Sequence, residues 1–219
     1  MRKRTDMRLS FRSLARPLIA LTMIVPIAAT HANTVAIERL RAALDANELE
    51  PFVRELEAGV IDADLFARDV EAYEVLCRST HPDRMPFLDR LLAFGIDPSI
   101  EDPERVRYTF SPLACVYREN GLASFERLLD AGADSNISVC PNCADSLHTL
   151  VNHVLNMPEL FDMIVERREL TPVELASVAL SVTRRYIHKT WKGQPLNEYY
   201  ADYLRERGYE IVSAEPRSP

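Results

Sequence analysis

Apolar residues recur at helical spacing along most of this chain, and two of the apolar runs end in the same way. One run reads LDRLLAFGIDPSI from Leu88, and the other reads FERLLDAGADSNI from Phe125. They align without a gap at an offset of 37 residues, which pairs Gly95 with Gly132. A period of this length is typical of arrays of repeated helical units. The pattern therefore predicts a repeat protein.

Weaker copies of the same phrase stand on both sides of these two runs. They read FVRELEAGVID from Phe52, FDMIVERREL from Phe161 and ADYLRERGYEI from Ala201. Each keeps apolar residues at i, i+3 and i+4, and most end on glycine, which tolerates the left-handed conformation that closes a helix. The copy from Phe161 has Arg168 where glycine is expected. We expect about five units, each ending in such a helix.

Each unit also needs a first helix, and the sequence offers candidates that begin with a capping residue and continue with an apolar run. They are SPLACVY from Ser111, DSLHTLV from Asp145 and TPVELAS from Thr171. Ser, Asp and Thr are good N-caps, and proline in the first helical position sacrifices no hydrogen bond. The pattern predicts an array of helical hairpins.

This arrangement resembles the ankyrin repeat, whose consensus opens a first helix with T-P-L-H-x-A and closes the second with G-A-D-x-N. The resemblance is good over residues 85–168 and weaker over 34–84 and 169–212. It implies an all-α solenoid of about five helical-hairpin units with degenerate end caps. A hairpin array of another repeat class is the alternative, and it is also an all-α solenoid. The matching residues are Ser111, Pro112, Leu113, Leu147, His148, Thr171 and Pro172 in the openings, and Gly132, Ala133, Asp134 and Asn136 in the closing phrase.

The amino terminus has the pattern of a secretory signal. Six basic residues precede about twelve apolar residues at 18–29, and Thr30, His31 and Ala32 then supply a cleavage site before Asn33. A membrane span needs about twenty apolar residues, so we expect cleavage and no stable membrane insertion, with an uncleaved anchor as the alternative. The predicted organisation is a signal peptide at 1–32, a repeat domain at 33–212 and a disordered tail at 213–219. Together with the resemblance, this predicts a periplasmic protein.

Removal of the signal changes the charge of the protein. The whole chain has a net charge of −7, and residues 1–32 carry six basic residues and one acid, so the mature chain has a net charge of −12. An acidic chain is a poor partner for nucleic acid. A basic partner protein fits better, although acidity also serves solubility.

The pair Cys140 and Cys143 lies in the connection between the third and fourth units and reads C-P-N-C. In an exported protein we expect this pair to close a small disulfide. Two alternatives stay open: a thiol-exchange site, and a zinc site that adds His148 and His153. Against zinc, two histidines five residues apart on one helix point about 140° away from each other. We expect no metal and no cofactor.

Cys77 and Cys115 lie 38 residues apart at nearly equivalent places in neighbouring units. Stacked helices hold equivalent Cα atoms about 9 to 10 Å apart, which exceeds the span of an unstrained disulfide. We expect two buried thiols. A bridge between them is the alternative, which a shift of one residue in the alignment would allow.

The chain has no G-x-S-x-G, Walker or H-E-x-x-H motif and only six glycines, so we expect a non-catalytic protein rather than an enzyme. Binding is the remaining activity. The segment 101–110 reads EDPERVRYTF, and Arg and Tyr are favoured at the centres of interfaces. The predicted partner-binding residues in this segment and in the following helix are Arg105, Arg107, Tyr108, Tyr117 and Arg118.

A basic and aromatic cluster lies near the carboxyl terminus, at residues 184–192. We expect Tyr186 and Trp191 to cap the core, while binding of an acidic partner or an anionic membrane surface is the alternative.

The ankyrin resemblance also implies a role, because exported bacterial proteins of this kind include immunity proteins that neutralise toxins and others that support envelope stress defence. We therefore expect a periplasmic protein-binding module that inhibits a basic secreted toxin. The alternative is a thiol-disulfide or metal-linked envelope protein that uses Cys140 and Cys143.

Overall fold

A computed structural model describes residues 18–103, 111–119, 121–136, 149–184 and 190–209, and at 18–29, 117–119 and 183–184 it describes the backbone alone. Helices make up most of these residues, which confirms the predicted all-α class. The helices are α1 (Leu18–Ala46), α2 (Leu49–Glu57), α3 (Leu65–Arg68), α4 (Val70–Ser79), α5 (Met85–Phe94), α6 (Pro112–Glu119), α7 (Leu122–Asp130), α8 (Leu150–His153), α9 (Pro158–Val165), α10 (Pro172–Arg184) and α11 (Leu196–Arg205). Short 3₁₀ turns cover Pro82–Arg84 and Val154–Asn156.

The helices form pairs, and the pairs contact one another in chain order. Helix α1 packs on α2, α4 on α5, α6 on α7 and α10 on α11, while α9 packs on the 3₁₀ turn that follows α8. Between pairs, α1 contacts α4, α4 contacts α6 and α8 contacts α10, and in the same way α2 contacts α5 and α7 contacts α9. The first helices of the pairs thus form one row, and the second helices form another.

The second helices end as their sequence pattern predicts. At the end of α5 the amides of Gly95 and Ile96 donate to the carbonyls of Leu92 and Leu91, and Gly95 has a φ of 98°. The same two hydrogen bonds recur 37 residues later around Gly132, whose φ is 95°. Glycine suits both positions because this left-handed conformation places no side chain against the preceding carbonyl.

The first helices agree with the sequence in two places and differ in one. Ser111 caps α6 and Thr171 caps α10, since each hydroxyl accepts a hydrogen bond from the amide three residues further on. The helix expected after Asp145 instead begins at Leu150, because Thr149 is extended and its own hydroxyl caps α8. Thr149 takes the capping role there, and 145–148 lie outside the described residues.

One apolar core runs between the two rows, and aromatic rings lie where pairs meet. Phe52 on α2 packs edge-on against Phe87 on α5, with ring centroids 5.1 Å apart. At the other end, Phe161 on α9 packs edge-on against Tyr200 and Tyr203 on α11, at 4.8 and 5.1 Å. Buried aromatic rings therefore join neighbouring pairs at these two places.

A two-stranded hairpin precedes α11 and was absent from the sequence expectations. Strand β1 (Thr190–Trp191) pairs antiparallel with β2 (Gln194–Pro195). The two turn residues, Lys192 and Gly193, have φ values of 49° and 85°. Positive φ at both turn positions gives the turn a twist that matches paired strands.

Candidate partner-binding surface

The exposed face of the second-helix row is crossed by ion pairs between neighbours. Arg127 on α7 donates to Asp89 on α5 at 2.6 Å, and Arg167 after α9 donates to Asp130 on α7 at 2.8 Å. The hydrogen bond with Asp130 raises the pKa of Arg167. Arg167 also lies 3.5 Å from Glu126, so two guanidinium groups face three carboxylates here.

The first-helix row carries a second charged group, between α1 and α4. The guanidinium of Arg41 lies 3.7 Å from Glu71 and 3.8 Å from Glu74, and Arg78 pairs with Asp45. Their side chains are a third to a half exposed. Three carboxylates against two guanidinium groups leave this surface acidic.

The segment predicted to bind a partner begins beside this group, and its first residues are anchored. Asp102 is buried, and it lies close enough to Tyr73 of α4 for its negative charge to affect the pKa of that phenol. Burial raises the pKa of Tyr73, and the negative charges of Asp102 and Glu101 raise it further. Tyr73 is therefore a neutral phenol at physiological pH. The chain that follows α5 therefore passes beside Tyr73 of α4.

The predicted binding residues themselves fall where the structure gives little detail. Arg105, Arg107 and Tyr108 lie outside the described residues. Tyr117 and Arg118 lie in the last turn of α6, where the backbone alone is described. The role of all five residues in binding stays a prediction. The structure shows only that Tyr117 and Arg118 lie on α6.

Helix α6 is joined covalently to α4, and this overturns the expectation of two free thiols. Cys77 and Cys115 form a disulfide with their Cα atoms 5.5 Å apart. This distance is shorter than the expected spacing, and Gly121 lies at the same joint. A Cβ atom there would lie 3.2 Å from Val116 and 3.4 Å from the carbonyl oxygen of Thr80. A structural disulfide is compatible with an oxidising compartment.

The other cysteine predictions stay predictions. Cys140, Cys143 and His148 lie outside the described residues, so their disulfide, thiol-exchange and zinc interpretations are unchanged. His153 is half-buried on α8.

Part of the basic and aromatic cluster packs on the end of the core, as expected for Trp191. The carboxylate of Asp162 on α9 accepts a hydrogen bond from the Trp191 indole at 3.1 Å, contacts Lys192 Nζ at 2.7 Å and accepts from the Tyr199 hydroxyl. The hydrogen bond to Asp162 raises the pKa of Lys192. These groups hold the hairpin against α9 and α11. Residues 185–189 lie outside the described part of the chain.

The sequence interpretation missed one buried polar group, which surrounds Glu174 on α10. Arg168 donates to both carboxylate oxygens, at 2.9 and 2.7 Å, and also to Ser135 at 2.6 Å. The Thr171 amide and hydroxyl donate to the same carboxylate at 2.8 and 3.0 Å. The signal was present in the sequence as T-x-x-E, a capping box.

No protein-family model matches this chain, and neither do the curated proteins or the solved structures. In the part of the chain that the structure describes, no helix is both long enough and apolar enough to cross a membrane. The function of this chain has to be inferred from its own residues and contacts.

Proposed function

We propose that this protein is an ankyrin-like solenoid that binds another protein in the periplasm and carries out no catalysis. The observation that supports this proposal most strongly is the recurrence of contacts at the repeat period. Asp89 and Arg127 are 38 residues apart, and Asp130 and Arg167 are 37 apart. In a solenoid each unit contacts its neighbours, so equivalent contacts recur at the repeat length.

The turns after the second helices support the same proposal. The Asp97 carboxylate accepts from the Ser99 amide at 2.8 Å, and 37 residues later Asp134 accepts from the Asn136 amide at 2.7 Å. The Ser99 hydroxyl accepts from the Asp134 amide at 2.8 Å, so one turn rests on the next. Turns that stack in this way form one edge of a repeat array, and the partners of ankyrin-like proteins commonly bind along that edge.

The charge distribution favours a basic partner. Residues 34–103 carry sixteen acidic and seven basic side chains, a net charge of −9 out of the −12 of residues 33–219. Charge concentrated on one half of a protein accelerates encounter with an oppositely charged partner. We propose that the first two helix pairs attract a basic toxin and that the segment 101–110 with the end of α6 binds it, as an immunity protein would.

Affinity capture tests the function directly. Residues 33–219 serve as bait in an envelope extract of the source cells, and bound proteins are identified by mass spectrometry. We expect one basic partner at about 1:1 stoichiometry, retained equally by the Cys140→Ser/Cys143→Ser variant. Mixed disulfides with many clients, lost in that variant, would instead establish the thiol-based alternative.

The binding residues are tested with the purified partner by calorimetry. Arg107→Ala and Tyr108→Ala should each weaken binding by about 1 kcal/mol or more, a factor of at least about five. The matched controls are Arg205→Ala and Tyr209→Ala, near the carboxyl terminus, and they should leave the affinity unchanged. Equal losses in both sets would contradict the proposed face.

The charge contribution is tested by association kinetics. Glu57→Lys with Asp64→Lys should lower the association rate constant roughly tenfold at low salt and much less at high salt. The same reversal at Glu198 and Glu206 is the control, because these exposed acids lie in the carboxyl-terminal half. A salt-independent effect, or an equal effect of the control, would exclude steering by the first two pairs.

A further inference from the structure

A groove lies on the side of the first helix pair that points away from the rest of the array. Arg41 and Asp45 mark the side of α1 that faces α4. The stripe of Arg39, Ala42 and Ala46 is centred about 110° around the helix from that side. The groove between this stripe and α2 has a volume of about 470 Å³. Its lining residues are Arg39, Ala42, Ala43, Ala46, Glu48, Pro51, Arg54 and Glu55.

The charged side chains of the groove are balanced, two guanidinium groups against two carboxylates. Arg39 lies 3.6 Å from Glu55. Glu48 and Arg54 are exposed, and neither has an ion-pair partner among the residues that the structure describes. The groove is thus a neutral place in residues 34–103, whose net charge is −9. Two acidic copies of this chain repel each other least where their charges balance.

The spacing of the charges on α2 makes the groove complementary to itself. Glu48, the N-cap of α2, and Arg54 each lie three residues from Pro51, and all three line the groove. In a two-fold interface the same residues of both copies meet reciprocally. Two antiparallel copies of α2 that cross at Pro51 therefore bring Arg54 of each copy to Glu48 of the other. Ala42 and Ala46 end in a methyl group, so α1 leaves room for the second helix.

We infer that this groove receives a second copy of the same chain, so that two arrays associate end to end through α1 and α2. Two Arg54–Glu48 ion pairs then form across the two-fold axis. At physiological salt the screening length is about 8 Å, so distant acidic residues are largely screened while charges in contact are not. The end of one helix pair covers at most about 400 Å² per copy, half of the roughly 800 Å² of a standard interface. The dimer is therefore reversible and depends on concentration.

Sedimentation equilibrium at physiological salt tests this inference. Residues 33–219 keep the packed face of α1, since Ala36 is its first buried residue among the described side chains. We expect their mean mass to rise towards that of a dimer between about 10 µM and about 1 mM. Arg54→Glu and Glu48→Arg should each raise the dissociation constant at least about tenfold, because each places two like-charged pairs across the axis. The double variant Arg54→Glu/Glu48→Arg should restore it to within about threefold of wild type, because the pairs form again with their charges exchanged.

The two single variants change the net charge in opposite directions, so a general charge effect cannot weaken both. The control Arg90→Glu changes the net charge as Arg54→Glu does, at an exposed position 36 residues later on α5, and should leave the dissociation constant unchanged. Circular dichroism confirms that each variant is folded. An equal loss in the control, or no recovery in the double variant, would overturn the inference.

The same measurements separate this inference from the proposed function. A wild-type monomer at every concentration would overturn it, whether or not a partner protein is captured. If capture of that partner were then lost in Arg54→Glu, the groove would belong to the partner rather than to a second copy. A dimer that retains no partner would sustain this inference while the proposed function fails.

Discussion

The buried carboxylate of Glu174 should make the stability of the protein depend on Arg168. The Glu174 side chain is 1% exposed, whereas that of Arg168 is 25% exposed. Burial raises the pKa of Glu174, but the hydrogen bonds from Arg168 and Thr171 and the Arg168 charge outweigh it, so the pKa lies below its ordinary value of 4.5. The carboxylate is therefore charged at neutral pH and needs its partner.

The test is Arg168→Met, which keeps most of the side-chain volume and removes both hydrogen bonds to Glu174. Leaving one partner of a buried ion pair alone costs about 3 to 5 kcal/mol. Because water reaches part of Arg168, we expect the lower end, about 3 kcal/mol, from urea unfolding followed by circular dichroism at pH 7. The control Arg205→Met removes a half-exposed pair with Asp202 and should cost less than about 0.5 kcal/mol.

The dependence on pH follows from the direction of the pKa shift. A carboxyl group with a lowered pKa in the folded state stabilises the fold above its unfolded pKa, and this contribution is lost as the pH falls through the folded pKa. The cost of Arg168→Met should therefore be largest near pH 7 and should shrink as the pH falls from the ordinary pKa of about 4.5 towards the lowered pKa of folded Glu174. A cost below about 1 kcal/mol at pH 7, or a cost that grows in acid, would refute this account of the buried pair.

Three further stability changes follow from the fold and are measured by the same urea unfolding. Replacing Cys77 and Cys115 should lower the free energy of unfolding by about 4 kcal/mol, because their disulfide closes a loop of 38 residues. If this disulfide is the one that stabilises the fold, reductant should not destabilise that variant further. Gly95→Ala should cost about 1 to 2 kcal/mol because its φ is 98° while the space around it is open, so repulsion from neighbours plays no part. Phe161→Ala should cost about 3 to 5 kcal/mol, since the ring is fully buried against the tyrosines of α11, and a loss below about 2 kcal/mol would mean that this joint is not well packed.

The parts of the fold that the sequence predicts are those set by neighbours along the chain. A helix that ends at Gly95 needs only a residue that tolerates positive φ, and the same local rule applies at Gly132. The caps at Ser111 and Thr171 are local in the same sense. The 37-residue period then places these helices in neighbouring units, which is why pattern alone locates most of the helix pairs.

The features that the sequence did not predict depend on distances between units. The bridge from Cys77 to Cys115 requires the Cα atoms of two residues on different helices to lie 5.5 Å apart, which a repeat period alone does not specify. An average helix spacing gave the wrong expectation because it ignores which side chains meet at the joint. The hairpin at 190–195 is different, since Gly193 in its turn is a local signal that helical periodicity overlooks.

Arg168 illustrates how a departure from a repeat consensus acquires a physical reason. Glycine is expected at the close of a unit because the chain there usually turns through positive φ, but Arg168 is not among the described residues with positive φ. The chain passes from α9 to α10 within a few residues, so its side chain is placed between Ser135 of one turn and Glu174 of the next helix. Arg168→Gly restores the consensus residue, but it leaves the buried Glu174 carboxylate without its partner. It should therefore lower the free energy of unfolding at least as much as Arg168→Met does. If the glycine variant were instead more stable than wild type, the backbone at this position would be the determining factor, and the ion pair would be secondary.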